Sequence, residues 1–139
     1  MPASVQVLKN SSVLYVRYYG VVVGDEMIRA AQEVAALSPG QTRFPVLLDL
    51  HDMENINLTY ATMRGVVRKM DQLFGLRNLP GPQKTVIWAP GEIGYGMARM
   101  FEAIVQPDLR AMFLLEHEAD ALAALGQDAP DVTSLIAQG

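Results

Sequence analysis

Two histidines and several carboxylates stand where this chain could do acid–base or metal chemistry. His51-Asp52-Met53-Glu54-Asn55, Pro90-Gly91-Glu92-Ile93 and Glu116-His117-Glu118 each follow an apolar run that reads as a strand. Loops at the carboxyl ends of parallel strands are the usual ligand site of open α/β sheets. Imidazole and carboxylate groups brought together there could hold a divalent metal or exchange protons with a substrate. No close ligand pair such as His-Glu-x-x-His occurs, so convergence of His51 and His117 rests entirely on the fold. The absence of cysteine removes disulfides, thiolate metal sites and a thiol nucleophile. These observations lead us to expect no metal, no cofactor and no catalytic residue; an enzyme using His51 and His117 is the weaker alternative.

Gly91-Glu92-Ile93-Gly94-Tyr95-Gly96 opens a helix after a strand, as phosphate-binding loops do. Its spacing matches neither G-x-G-x-x-G nor G-x-x-x-x-G-K-[ST], and Glu92 would repel a phosphate. Tight turning and close helix–sheet packing account for the glycines more simply.

Binding surfaces are better represented than reactive ones. Arg64, Arg68 and Lys69 fall on or near one face of a helix, since positions i and i+4 are neighbours, and Phe74 follows them. An apolar edge flanked by cations suits an anionic membrane surface. Met63 and Met70 on that helix, with Met97 and Met100 on the next, recur at helical spacing. Methionine fills irregular core gaps and also lines adaptable grooves. These four side chains are the candidate lining of a pocket for a lipid or apolar small molecule.

The elements that must position these groups are legible from periodicity. Val5–Leu8 and Val13–Tyr19 read as a hairpin joined by Lys9-Asn10-Ser11-Ser12. Gly24-Asp25-Glu26 opens a helix with acids at its positive end, and Ser38-Pro39-Gly40 stops it. Phe44–Leu50 reads as a buried strand followed by a polar loop, and Thr59 as the cap of a helix from about Tyr60 to Phe74. After the turn Leu79-Pro80-Gly81-Pro82 come the strand Thr85–Ala89, a helix with Met97, Met100, Phe101, Ile104 and Val105 on one stripe, and the strand Ala111–Leu115. A short helix from about Glu118 to Leu125 ends at Gly126, and residues 127–139 are expected to be a loosely ordered tail. Continuous apolar strands need cover on both faces, which parallel strands with crossover helices supply. The fold class is therefore α/β, a single domain over residues 1–126 with a mixed sheet of about five strands and crossover helices, the first strand on an antiparallel edge.

At 139 residues, half of them apolar, the chain can bury a real core. It shows no 18-residue apolar run for a transmembrane helix, and Met1–Asn10 lacks the pattern of a signal peptide. A cytoplasmic protein, peripheral at the inner membrane at most, is expected. The net charge of −4 argues against nucleic acid. Charge is uneven, with Arg64, Arg68, Lys69, Arg77 and Lys84 in the middle and only acids from Glu116 onward apart from His117. A polarised surface or ordinary solvation would each explain that.

Leu14-Tyr15-Val16-Arg17-Tyr18-Tyr19-Gly20, Val46-Leu47-Leu48-Asp49-Leu50, Val86-Ile87-Trp88-Ala89-Pro90, Gly94–Ala103 and Glu118–Leu125, taken with the element order, resemble the SpoIIAA-like proteins. This bacterial STAS-type family is also compared with lipid-transfer domains. The likeness spans about residues 5–126 and implies a SpoIIAA-like fold. In STAS-type anti-sigma antagonists a Ser or Thr before the second helix is phosphorylated by a partner kinase; Thr59 falls near that position, with Asn57 and Tyr60 replacing the family's acid and glycine. The resemblance thus implies a regulatory protein partner as the alternative to an apolar small molecule or lipid. A homo-oligomer is compatible with either.

Overall fold

The structure, a computed structural model, describes residues 3–76, 84–105 and 112–139, and within those spans every side chain but those at 39 and 74–76. Strand β1 (Ala3–Leu8) turns back through residues 9–12 into β2 (Val13–Val23), pairing antiparallel from Leu8↔Val13 to Ala3↔Tyr18. Helix α1 (Gly24–Ala35) and the short α2 (Pro39–Thr42) lead to β3 (Val46–Asn57); helix α3 (Tyr60–Leu76) leads to β4 (Thr85–Trp88). Helix α4 (Glu92–Val105) leads to β5 (Met112–Leu115), and α5 (Glu118–Ala124) and α6 (Val132–Gln138) close the chain. The five strands lie in sequence order, with β2 to β5 mutually parallel and β1 antiparallel at one edge. That is the mixed sheet the sequence predicts.

Strand alternation divides the interior in two, because successive side chains point to opposite faces. Leu14, Val16, Tyr18 and Val22 of β2 join Val46, Leu50 and Ile87 beneath α1, α3 and α4. Val13 and Tyr15 join Leu47, Val86 and Trp88 beneath α5 and α6. Gly94 lets α4 lie close on the sheet, since a Cβ there would sit 3.1 Å from Leu50 Cβ and 3.2 Å from its carbonyl oxygen. Arg29 binds β1 to α1, donating to the Ala3 carbonyl at 2.6 Å while pairing with Glu26 and Glu33.

Three expectations change. Strand β3 does not stop at Leu50: it runs to Asn57 beside β2, which itself passes through Gly20 to Val23. His51–Asn55 is therefore strand rather than loop. Register shifts between Arg17 and Tyr19 and between Gly20 and Val21 accommodate it, with Gly20 at φ +64°. Second, Ser38-Pro39-Gly40 begins the one-turn helix α2 rather than merely ending α1. Third, the tail is not loose. Val132 and Leu135 of α6 are buried against Leu8 and Val13. Asp131 caps the helix by accepting from the Ser134 amide at 2.7 Å, Glu118 accepts the Val132 amide at 2.9 Å, and Asn10 N–H donates to the Gly139 carbonyl at 2.7 Å. The Leu79–Pro82 turn and Ala111 lie outside the described residues.

Candidate functional site

The crossover helices leave unfilled space against the sheet. A cavity of about 100 Å³ lies between α1, α3, α4 and the strands, walled by Leu14, Val16, Val34, Leu48, Met70, Phe101 and Met112, with Thr42, Thr85 and Tyr18 the polar residues in its lining. A second cavity, of about 50 Å³, continues toward Leu50, Ile87 and Met97. The two share Tyr18, Leu48, Met70 and Phe101. The partition is thus formed in part by a flexible thioether side chain, whose three rotatable bonds let it adapt to a changing shape. Burial pushes the Tyr18 hydroxyl group well above its ordinary range, so it remains a neutral wall.

Of the four candidate methionines, Met70 lines both cavities and Met97 the smaller one. Met63 is fully buried in the core between α3 and the sheet, and Met100 packs half-buried against that core; neither is among the residues lining these two cavities. On the outer side of α3, Arg64, Arg68 and Lys69 are exposed. Arg64 and Arg68, with Val67, Asp71, Gln72 and Ile104, border a shallow groove of about 500 Å³. The Phe74 side chain lies outside the described residues.

Thr59 stands just before α3, and its Oγ1 accepts the Thr62 amide at 3.1 Å and meets Thr62 Oγ1 at 2.9 Å. That is helix-capping geometry. Thr59→Ala is expected to cost about 1 kcal/mol, and Thr59→Asp to be nearly neutral because aspartate caps and suits the positive helix end. Urea midpoints of both variants check this; equal losses would contradict a capping role.

A polar cluster occupies the other sheet face at the carboxyl end of β4. Asp49, fully buried, accepts from the Tyr15 hydroxyl and from the His51 backbone amide at 3.1 Å, and lies 2.5 Å from His51 Nδ1. The His51 ring stacks on Trp88 with centroids 4.8 Å apart. His51 Nε2 is 3.2 Å from Asp52, which accepts from Arg17 Nη2 at 2.6 Å, and Arg17 lies over the Tyr19 ring. Burial, reinforced by the bond to Asp49, pushes the Tyr15 hydroxyl far above its ordinary range, so it stays a donor. The hydrogen bond from Arg17 holds the Asp52 carboxyl below the usual carboxylate range.

This cluster carries a histidine oriented by a buried carboxylate, the arrangement that a general base requires. Here, however, each ring nitrogen faces a carboxylate of the chain itself. His117 is not part of the network: it is exposed at the start of α5, where its carbonyl accepts the Ala121 amide. Among the described residues no group of three or more His, Asp and Glu side chains could hold one metal ion. Trp88 is buried, as an apolar strand requires, yet its Nε1 has no hydrogen-bond partner among the described residues. Sequence reasoning singled out His51 and Asp52 but missed Asp49 and Tyr15 as the pivot. The available signal was an acid inside the apolar run Val46–Leu50, opposite the alternating Tyr15 and Arg17.

No protein-family model and no curated protein matches the chain. Among solved structures it is similar to an uncharacterised protein of the DUF3478 family with a SpoIIAA-like fold from Shewanella loihica PV-4. The two share 15% identity over 88% of this chain and 93% of that one, with a TM-score of 0.52. The fold is SpoIIAA-like. No described helix is long and apolar enough to cross a membrane.

Proposed function

We propose that this protein is a non-enzymatic module that binds a short apolar chain, of a lipid or small molecule, between its crossover helices and its sheet. One observation carries the proposal: two apolar cavities, about 100 and 50 Å³, whose walls share Met70 and Phe101. An engineered apolar cavity of ~150 Å³ in another protein stays dry and takes up benzene, so space on this scale is enough for a small apolar group. Movement of Met70 would join the two volumes into a slot suited to a linear chain. The exposed Arg64, Arg68 and Lys69 on the outside of α3 supply a contact for anionic membrane surfaces, where a cation contributes ~1 kcal/mol.

Octan-1-ol is a suitable neutral probe. A ligand that binds only the folded state at 100 times its Kd stabilises that state by about 2.7 kcal/mol, which appears as a raised Tm. Ala31, buried on α1, lines the larger cavity, so Ala31→Leu should fill it. The expected result is a rise in Tm with octan-1-ol for the wild type and none for the variant, while the variant alone remains folded. An unchanged wild-type Tm, or an equal rise in Ala31→Leu, would overturn the proposal.

A further inference from the structure

Both cavities have uncharged walls. The described residues that line them are apolar except Thr42, Thr85 and Tyr18. A carboxylate or ammonium group drawn in among them would lose its water and meet no opposite charge, which is the costly case for a buried ion.

The three polar residues are not equivalent. Thr42 is fully buried and already has a partner. Tyr18 and Thr85 are 4% and 8% exposed, and the hydroxyl of neither enters a hydrogen bond among the described residues. Trp88 Nε1 is the one polar side-chain atom among those residues that is both sealed and unpartnered, so the two hydroxyl groups keep some open surface beside them. A buried hydroxyl without a partner is destabilising, and the larger cavity that both residues line offers the space for one. Thr85 stands on the first rung of the parallel strands, between Val46 and Met112. Tyr18 lies four residues along β2 from Leu14, which pairs with Val46, and it lines the smaller cavity too. Above it, Ala30 and Ala31 of α1 line the larger cavity and Met27 the smaller. Glu26 and Arg29 of that helix act on the Tyr18 hydroxyl only through their charge, and pair with each other at 2.8 Å. Tyr18 is thus the spare polar group in the wall that the two volumes share.

We infer that the ligand is an uncharged chain with one hydroxyl or carbonyl oxygen, which accepts a hydrogen bond from the Tyr18 hydroxyl while the apolar parts fill the cavities. This inference rests on the apolar-chain reading above and assigns the polar group that the reading leaves open. Alcohols and ketones have this chemistry; carboxylates and amines that are charged at neutral pH do not.

The test compares hexan-1-ol, hexan-2-one, 1-chlorohexane, hexanoate and hexylammonium at pH 7.5 by calorimetry on the full chain. Hexanoate and hexylammonium should bind at least about a hundredfold more weakly than hexan-1-ol. Tyr18→Phe should weaken hexan-1-ol and hexan-2-one by about two- to tenfold, the scale of one neutral hydrogen bond, and leave 1-chlorohexane unchanged. On the wild type, the infrared carbonyl stretch of bound hexan-2-one should keep its hydrogen-bonded position and not move to the position it has in hexane. Hexanoate binding as tightly as hexan-1-ol would overturn the uncharged assignment. A hexane-like carbonyl stretch, or a Tyr18→Phe variant that binds the alcohol and ketone like wild type, would overturn the role of Tyr18. So would loss of the alcohol in Thr85→Val alone, which would move the polar group to the end of the sheet. In each of these cases binding of 1-chlorohexane leaves the apolar-chain reading standing, whereas failure of every probe overturns that reading as well. The infrared measurement needs no variant and decides the hydrogen bond even if Tyr18→Phe does not fold.

Discussion

Asp49→Ala should destabilise the protein by at least about 1.5–3 kcal/mol, the range for losing a single hydrogen bond to a charged group. The Asp49 carboxylate is fully buried and serves the Tyr15 hydroxyl, the His51 amide and the His51 ring at once. Removing it leaves the buried Tyr15 hydroxyl with no acceptor, which by itself costs about 1–3 kcal/mol. Tyr15→Phe removes a single donor to a charged group and should cost about 1.5–3 kcal/mol. In the Asp49→Ala background the same substitution should cost much less, because its partner is already gone. Trp88 is the only tryptophan in the chain and stacks on His51, so urea unfolding followed by its fluorescence reads the network directly. A loss below about 1 kcal/mol for Asp49→Ala would mean that the carboxylate is not the pivot described here.

Leu135→Ala should cost about 2–5 kcal/mol, the usual loss for truncating a fully buried leucine. Leu135 lies in the last helix yet is fully buried, packed in the layer that covers Leu8, Val13 and Leu47. The neighbouring Thr133 is exposed, so Thr133→Ala should stay within about 0.5 kcal/mol of the wild type. Denaturant midpoints for the pair separate a docked helix from a frayed one. Were residues 127–139 loosely ordered, both substitutions would be near neutral.

The two predictions fall on features that differ in how far the sequence reveals them. Local patterns determined the element order, because periodicity, glycine and proline punctuation and helix caps act over a few residues. The run Thr85–Ala89, the Met97–Val105 stripe and the sequence around Thr59 each encode their own conformation, and the five-strand mixed sheet follows from arranging them. The α6 helix escaped that logic. Val132-Thr133-Ser134-Leu135-Ile136 is too short and too weakly periodic to form a stable helix alone, and isolated helices of that length are marginal in water. Burial of Val132 and Leu135 against the β1–β2 hairpin, more than a hundred residues away in sequence, decides it.

The long β3 strand escaped for a related reason. His51-Asp52-Met53-Glu54-Asn55 is polar enough to read as a loop, and only pairing with β2 through two register shifts keeps it extended. The site divides along the same line. Sequence alone determined that Met70 and Met97 lie on the inward stripes of α3 and α4 and that Arg64, Arg68 and Lys69 share the outside of α3, but it placed His51 in a loop past a strand end where the structure has it inside β3. Tertiary structure alone decided that Met70 divides two cavities while Met63 is solid core, because residual space is a property of packing between distant elements. The same holds for Asp49. Its carboxylate is buried because Tyr15 and His51 supply donors at hydrogen-bond distance, and no local pattern carries that compensation.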